Sequence, residues 1–104
     1  MDFEEYRVKY TATALKRLDE ILEYIAVTLC NATAAKRLLD DFEEAIDSAA
    51  KFPYAMPAVK KQKWKNYRKI FVRQYLAIYR IDEKKKTLYI LTFRYAPRIL
   101  GDSI

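Results

Sequence analysis

The apolar positions of this chain switch period twice, and the switches divide it into its elements. Tyr6, Val8 and Tyr10 alternate with Arg7 and Lys9, which is the two-residue period of a strand. After Thr11, a good helix N-cap, the period lengthens. Leu15, Leu18, Leu22, Ile25 and Leu29 recur at spacings of 3, 4, 3 and 4, with Ile21 beside them. That is one stripe of a helix over about 12–30. Asn31 breaks this helix and caps a second. Ala35, Leu38, Leu39, Phe42, Ile46 and Ala49 form its stripe over about 32–51. Phe52–Pro53 ends it, since proline disfavours helix at the residue before it. So short a link between two helices predicts an antiparallel hairpin. Leu15, Leu18, Leu22, Ile25, Leu38, Phe42 and Ile46 are its predicted contacts with the rest of the core.

Residues 53–65 read as a loop carrying Pro53 and Pro57 and closing in KKQKWK. The strand period then returns over about 66–73, 75–82 and 87–94. Arg73–Gln74 is a tight link, and Asp82 to Lys86 a polar turn. Such short reversals make the three strands antiparallel. The expected fold is α+β: an N-terminal strand, an antiparallel helical hairpin, then a three-stranded antiparallel sheet packed on the hairpin. A length of 104 residues fits a single domain spanning 1–104. A helical hairpin covers one sheet face and leaves the other to solvent or a partner.

Composition narrows the chemistry. Apolar residues make up 52% of the chain, enough for one thin core. No apolar run approaches the roughly 18 residues of a membrane span, and the opening MDFEEYRVKY has no apolar signal core. A cytoplasmic location with no membrane contact is expected. Cys30 is the only cysteine and there is no histidine, so an intramolecular disulfide and histidine-based catalysis are excluded. Glu4–Glu5 and Asp40–Asp41 are carboxylate pairs without a third ligand, so neither metal nor cofactor is expected.

The net charge of +6 is unevenly spread. Residues 1–58 hold eleven acids and seven bases, and residues 59–104 hold three acids and thirteen bases. A basic half beside a balanced half points to an anionic partner, either nucleic acid or an acidic protein segment. Lys61, Lys63 and Lys65 around Trp64 have the composition of a nucleic-acid loop, cations for phosphate and an aromatic ring for stacking. The same residues also suit an exposed loop with one anchoring Trp. Lys84 to Lys86 read as a solvated turn.

YRVKYTATALKRLDEILEYIA, AAKRLLDDFEEAIDSAAKFP, NYRKIFVRQYLAIYRID and LYILTFRYAPR succeed one another in the order strand, helix, helix, three strands. In that order and spacing the chain resembles the RelE/ParE superfamily of bacterial toxins over nearly its whole length. The resemblance implies the toxin half of a toxin–antitoxin pair, neutralised by a cognate antitoxin. RelE-type members enter the ribosomal A site and cut mRNA, whereas ParE-type members poison DNA gyrase.

RNA cleavage requires a base for the 2′-OH, cations for the phosphate transition state and an acid for the leaving oxygen. Carried over from the RelE-type pattern, Arg68, Tyr95 and Arg98 are the catalytic candidates, with Lys69 and Arg94 as further nucleic-acid contacts. Lys69 has the opposite strand parity from Arg68. A Lys or Tyr base would need a depressed pKa, and neighbouring cations push that way. Two positions depart from the pattern. Leu76 comes after Tyr75 where many RelE-type members have Arg, and Ala96–Pro97 come after Arg94–Tyr95 where some have His–Tyr. The sequence-based expectation is ribosome-dependent mRNA cleavage. Its alternatives are a gyrase poison without a nuclease site, a degenerate toxin that only binds antitoxin, and a plain nucleic-acid-binding module outside the superfamily.

Overall fold

The computed structural model describes residues 5–59 and 66–97. The elements are β1 (Arg7–Tyr10), α1 (Ala12–Glu23), a π-helical segment (Tyr24–Thr28), α2 (Ala32–Lys51), β2 (Tyr67–Val72), β3 (Tyr75–Asp82) and β4 (Thr87–Tyr95). This is the α+β order that the periods predict. The sheet has one strand more than the expected three: its order is β1-β4-β3-β2, with β1 parallel to β4 and the other pairs antiparallel. The helical hairpin thus carries the chain from one sheet edge to the other, and β2, β3 and β4 walk back to β1.

Both caps form as read. The Ala14 N–H donates to Thr11 Oγ1 at 3.0 Å, and the Ala34 N–H to Asn31 Oδ1 at 3.0 Å. Thr11 does more than cap. Its hydroxyl donates to the Leu91 carbonyl at 2.9 Å and its N–H to the Ile90 carbonyl at 3.0 Å. Leu91 is the extra residue of a β-bulge, since Ile78 pairs with Thr92 but Tyr79 with Ile90. The bulge frees carbonyls that the start of α1 then uses.

One face of the sheet carries the core. Ile70 aligns with Ala77 and Phe93, Tyr79 with Ile90 and Ile81 with Leu88 across the registers, and all are buried. Leu18, Ile25, Leu38, Phe42 and Ile46 pack onto this layer as expected, and Leu22 packs against it half-buried. Phe42 meets Phe93 edge-to-face at 4.9 Å. Leu15 does not join them. It is 51% exposed, while Ala14 is fully buried in its place. A methyl side chain at the contact lets α1 approach β4 closely, which rotates the leucine before Leu18 outward. Leu29 is also exposed. The π segment explains this: the Leu29 N–H bonds the Tyr24 carbonyl five residues back, at 3.0 Å. One residue too many in a turn moves the side chains after it off the 3.6-residue stripe. Cys30 then turns the chain with a left-handed φ of 51°.

The β2 edge is covered in part. Ala58 bridges Arg68, and the Lys69 N–H donates to the Pro57 carbonyl at 2.9 Å. The Arg73–Gln74 link carries Arg73 at φ 55°, and its guanidinium pairs with Asp41 on α2. Among the described residues no helix is long and apolar enough to cross a membrane.

Candidate functional site

The candidates divide between the two sheet faces according to their parity on each strand. Arg68 has the parity of Ile70 and Val72, so it points to the helix-covered side. There it works within the fold. Its Nη1 donates to the Met56 carbonyl at 3.0 Å, and its guanidinium lies 5.2 Å from the centre of the Tyr54 ring. The Tyr54 hydroxyl in turn donates to the Glu83 carboxylate at 2.6 Å. Beside it the Tyr79 hydroxyl donates to the Pro53 carbonyl at 2.6 Å. Arg68 and Tyr79 are cross-strand partners. Together they fasten the segment after α2 to the sheet.

Lys69 and Arg94 lie on the other, uncovered face. Lys69 stands on β2 with its Nζ 5.7 Å from the centre of the Phe71 ring. Arg94 is opposite Leu76, which is opposite Phe71. Strand spacing and rise put the Cα atoms of Lys69 and Arg94 about 12 Å apart. Tyr95 has the parity of the covered face but sits at its open end, 56% exposed, against Tyr75 at 5.4 Å and with its hydroxyl 3.3 Å from Gln74 Oε1. Four residues of strand, about 13 Å, separate its row from Arg68. The grouping of Arg68 with Tyr95 in one catalytic site is therefore not what the sheet assembles. Arg98, Lys61, Lys63 and Lys65 lie outside the described residues.

Tyr54, Tyr75 and Tyr79 are not tuned toward a base either. Burial raises Tyr79 to about 12, and the Arg68 charge offsets this only in part. Desolvation, then the hydrogen bond and charge of Glu83, raise Tyr54 to about 12. Desolvation, with Tyr95 and Tyr24 adding to it, raises Tyr75. Each of these shifts runs against the depression that a general base would need. Among the described residues no three His, Cys, Asp or Glu side chains come together to hold a metal.

A wide hollow lies elsewhere. β1 pairs with β4 only as far as Ile90, and beyond it α1 and the π segment lean over the end of β4 and the β2–β3 turn. They enclose a cleft of about 940 Å³ that Arg17, Ile21, Tyr24, Leu29, Tyr75 and Tyr95 help to line. Tyr24 and Leu29 on its wall remain exposed. The 3–4 spacing puts Leu29 on the helix stripe and leaves Tyr24 off it, because a π turn has no signature in that spacing.

Residues 8–100 match the family model of the ParE toxin of the type II toxin–antitoxin system parDE. The fold is similar to that in a chromosomal ParDE toxin–antitoxin system from P. aeruginosa. There the TM-score is 0.71 at 19% identity, over 88% of this chain and 97% of that one. It is also similar to a RelBE2 toxin–antitoxin complex from Mycobacterium tuberculosis, with a TM-score of 0.60 at 19% identity over 90% and 97%. The isolated RelE toxin of E. coli gives 0.59 at 16% identity over 90% and 87%. No curated protein matches the chain by sequence.

Proposed function

Because this chain belongs to the ParE toxin family of type II toxin–antitoxin systems, we propose that it arrests growth by binding DNA gyrase and carries no nuclease site of its own. One observation supports this above all. Arg68, the cation best suited by sequence to grip a scissile phosphate, faces the helices and holds the Met56 carbonyl. A guanidinium so engaged is poorly placed to follow a phosphate into its transition state. Leu76 fits the same reading, since it is buried where RelE-type members often place an arginine.

The antitoxin partner fits the apolar cleft beside the π segment. Tyr24 and Leu29 form an exposed apolar rim there, and Arg17, Glu20 and Arg94 supply charge around it. A partner helix or strand laid across that rim would gain from area and charge together.

Expression without a partner is expected to stop growth, and an antitoxin encoded alongside to restore it. Purified toxin should inhibit gyrase supercoiling while cellular mRNA ends stay unchanged. New mRNA ends with unaffected supercoiling would reverse the assignment. That second reading, ribosome-dependent mRNA cleavage, has one observation in its favour: Lys69 and Arg94 share the uncovered face. Unchanged mRNA together with unaffected gyrase would leave a degenerate toxin that only binds antitoxin.

A further inference from the structure

The uncovered face carries a second basic cluster, at the opposite end from Arg94 and Tyr95. The registers place Lys9, Tyr89 and Arg80 side by side on β1, β4 and β3, alternating cation, aromatic ring and cation in one row across the sheet. The Arg80 guanidinium is stacked on the Tyr89 ring at 4.6 Å, which fixes both groups. Arg7 flanks Lys9 on β1, and Lys85 and Lys86 follow at the β3–β4 turn, the Lys86 ammonium 5.3 Å from the centre of the Tyr6 ring. Arg7, Lys9, Lys85, Lys86 and Tyr89 line a hollow of about 540 Å³, with Glu5 the one acid on its rim among the described residues. None of these five cations has an acidic partner among the described residues. Asp82, the acid on the same face, is already engaged by the Lys85 N–H at 3.1 Å.

Five cations without acidic partners on one side of a thin sheet are unfavourable to each other, and a fold gains nothing from grouping them. Protection of a sheet edge accounts for Arg7 and Lys9 on β1. It does not account for Arg80, which is on an inner strand and held flat against a tyrosine. Cations interleaved with aromatic planes on a sheet are what a single-stranded nucleic acid requires: charge for each phosphate and a ring or guanidinium plane for a base. An acidic peptide would use the charges and leave the alternation unexplained.

We propose that this face, with Arg7, Lys9, Arg80, Lys85 and Lys86 as phosphate contacts and Tyr89 as the stacking platform, binds single-stranded DNA. The choice of DNA rests on gyrase as the target; the existence of the surface does not. The turn that the sequence presents as merely solvated, Lys84 to Lys86, contributes two of the contacts.

Fluorescence anisotropy with the full-length toxin and a labelled oligodeoxynucleotide of about 20 nucleotides tests this directly, without gyrase or antitoxin. Five phosphate contacts at about 0.7 each predict a slope of about −3.5 for log K against log salt. Lys9→Glu and Arg80→Glu should each weaken binding at least about tenfold and flatten that slope by about 0.7 or more. Arg37→Glu, on the exposed side of α2, makes the same change in net charge and should cost less than about twofold. Equal losses at Lys9 and Arg37 would overturn the proposal in favour of diffuse charge, and so would a wild-type slope shallower than about −1. Tighter binding of duplex would overturn the single-strand assignment, and tighter binding of the matching RNA the choice of DNA. Lys9→Glu that keeps DNA affinity but loses the antitoxin would give the face to an acidic protein and overturn the proposal. Lys9 is exposed, so a circular dichroism spectrum matching wild type is expected; should Arg80→Glu unfold, Arg7→Glu takes its place. A supercoiling assay on the same variants reads the gyrase assignment separately.

Discussion

The two faces of the sheet are built from the same strands and obey opposite rules. On the covered face the side chains are mostly apolar, and Tyr79 and Arg68 each donate a hydrogen bond into the fold, to Pro53 and Met56, although Arg68 Nε is buried without a partner. On the uncovered face Lys9, Arg80 and Arg94 stand without acidic partners among the described residues. The same residue type therefore means different things one position apart. Arg68 serves as a clamp within the fold, whereas Lys69 faces outward. A basic strand in a small toxin cannot be read as a nucleic-acid site until each residue has been given its face.

Truncations on the covered face should break this contrast most sharply. Phe42→Ala removes a fully buried ring from its contact with Phe93 and should cost about 3–5 kcal/mol, read as a lowered urea midpoint. Arg68→Ala comes next, at about 2 kcal/mol, since it deletes a charge-assisted hydrogen bond and a cation–π contact. A catalytic role would give the reverse result, full stability with toxicity abolished.

Tyr79→Phe leaves the Pro53 carbonyl without its donor and should cost about 1–2 kcal/mol at neutral pH. It also carries a pH signature. The Tyr79 hydroxyl has its pKa raised from 10.0 to about 12, so the native state holds that proton more tightly than the unfolded chain. The stabilisation is fully present below pH 10 and declines as pH rises through about 12. Urea midpoints of wild type and Tyr79→Phe should therefore converge across that alkaline window, and parallel curves would count against the buried donor. The smallest effect belongs to the uncovered face. Lys9→Ala should change stability by no more than about 0.5 kcal/mol, whatever it does to ligand binding.

Much of this architecture is written in the apolar spacing. Both helices, their caps at Thr11 and Asn31, and the β2–β3–β4 meander arise from local chemistry. The parallel pairing of β1 with β4 does not, because nothing in four residues of strand names a partner 80 positions away. Leu15 and Leu29 were misplaced for two reasons, a small residue that wins the close contact and a π turn that adds a residue to the stripe. Arg68 is a different case. Its face was legible, since YRKIFV gives it the parity of Ile70 and Val72. The resemblance to RelE-type toxins pulled it toward a phosphate regardless. The row of Lys9, Tyr89 and Arg80 was invisible, because it exists only once three strands are in register.

The pairing of the first strand with the last also sets a clock. β1 meets its hydrogen-bonding partner only when residues 87–90 have been made, about 80 residues after its own synthesis. At about 5–20 residues per second that interval is about 4–16 seconds. Until then the helical hairpin has no β4 to lie on, and Thr11 has no bulge to hold. A nascent chain halted before β4 would carry both helices and neither finished face. Both faces of each molecule are thus finished late and together, once β4 has been made.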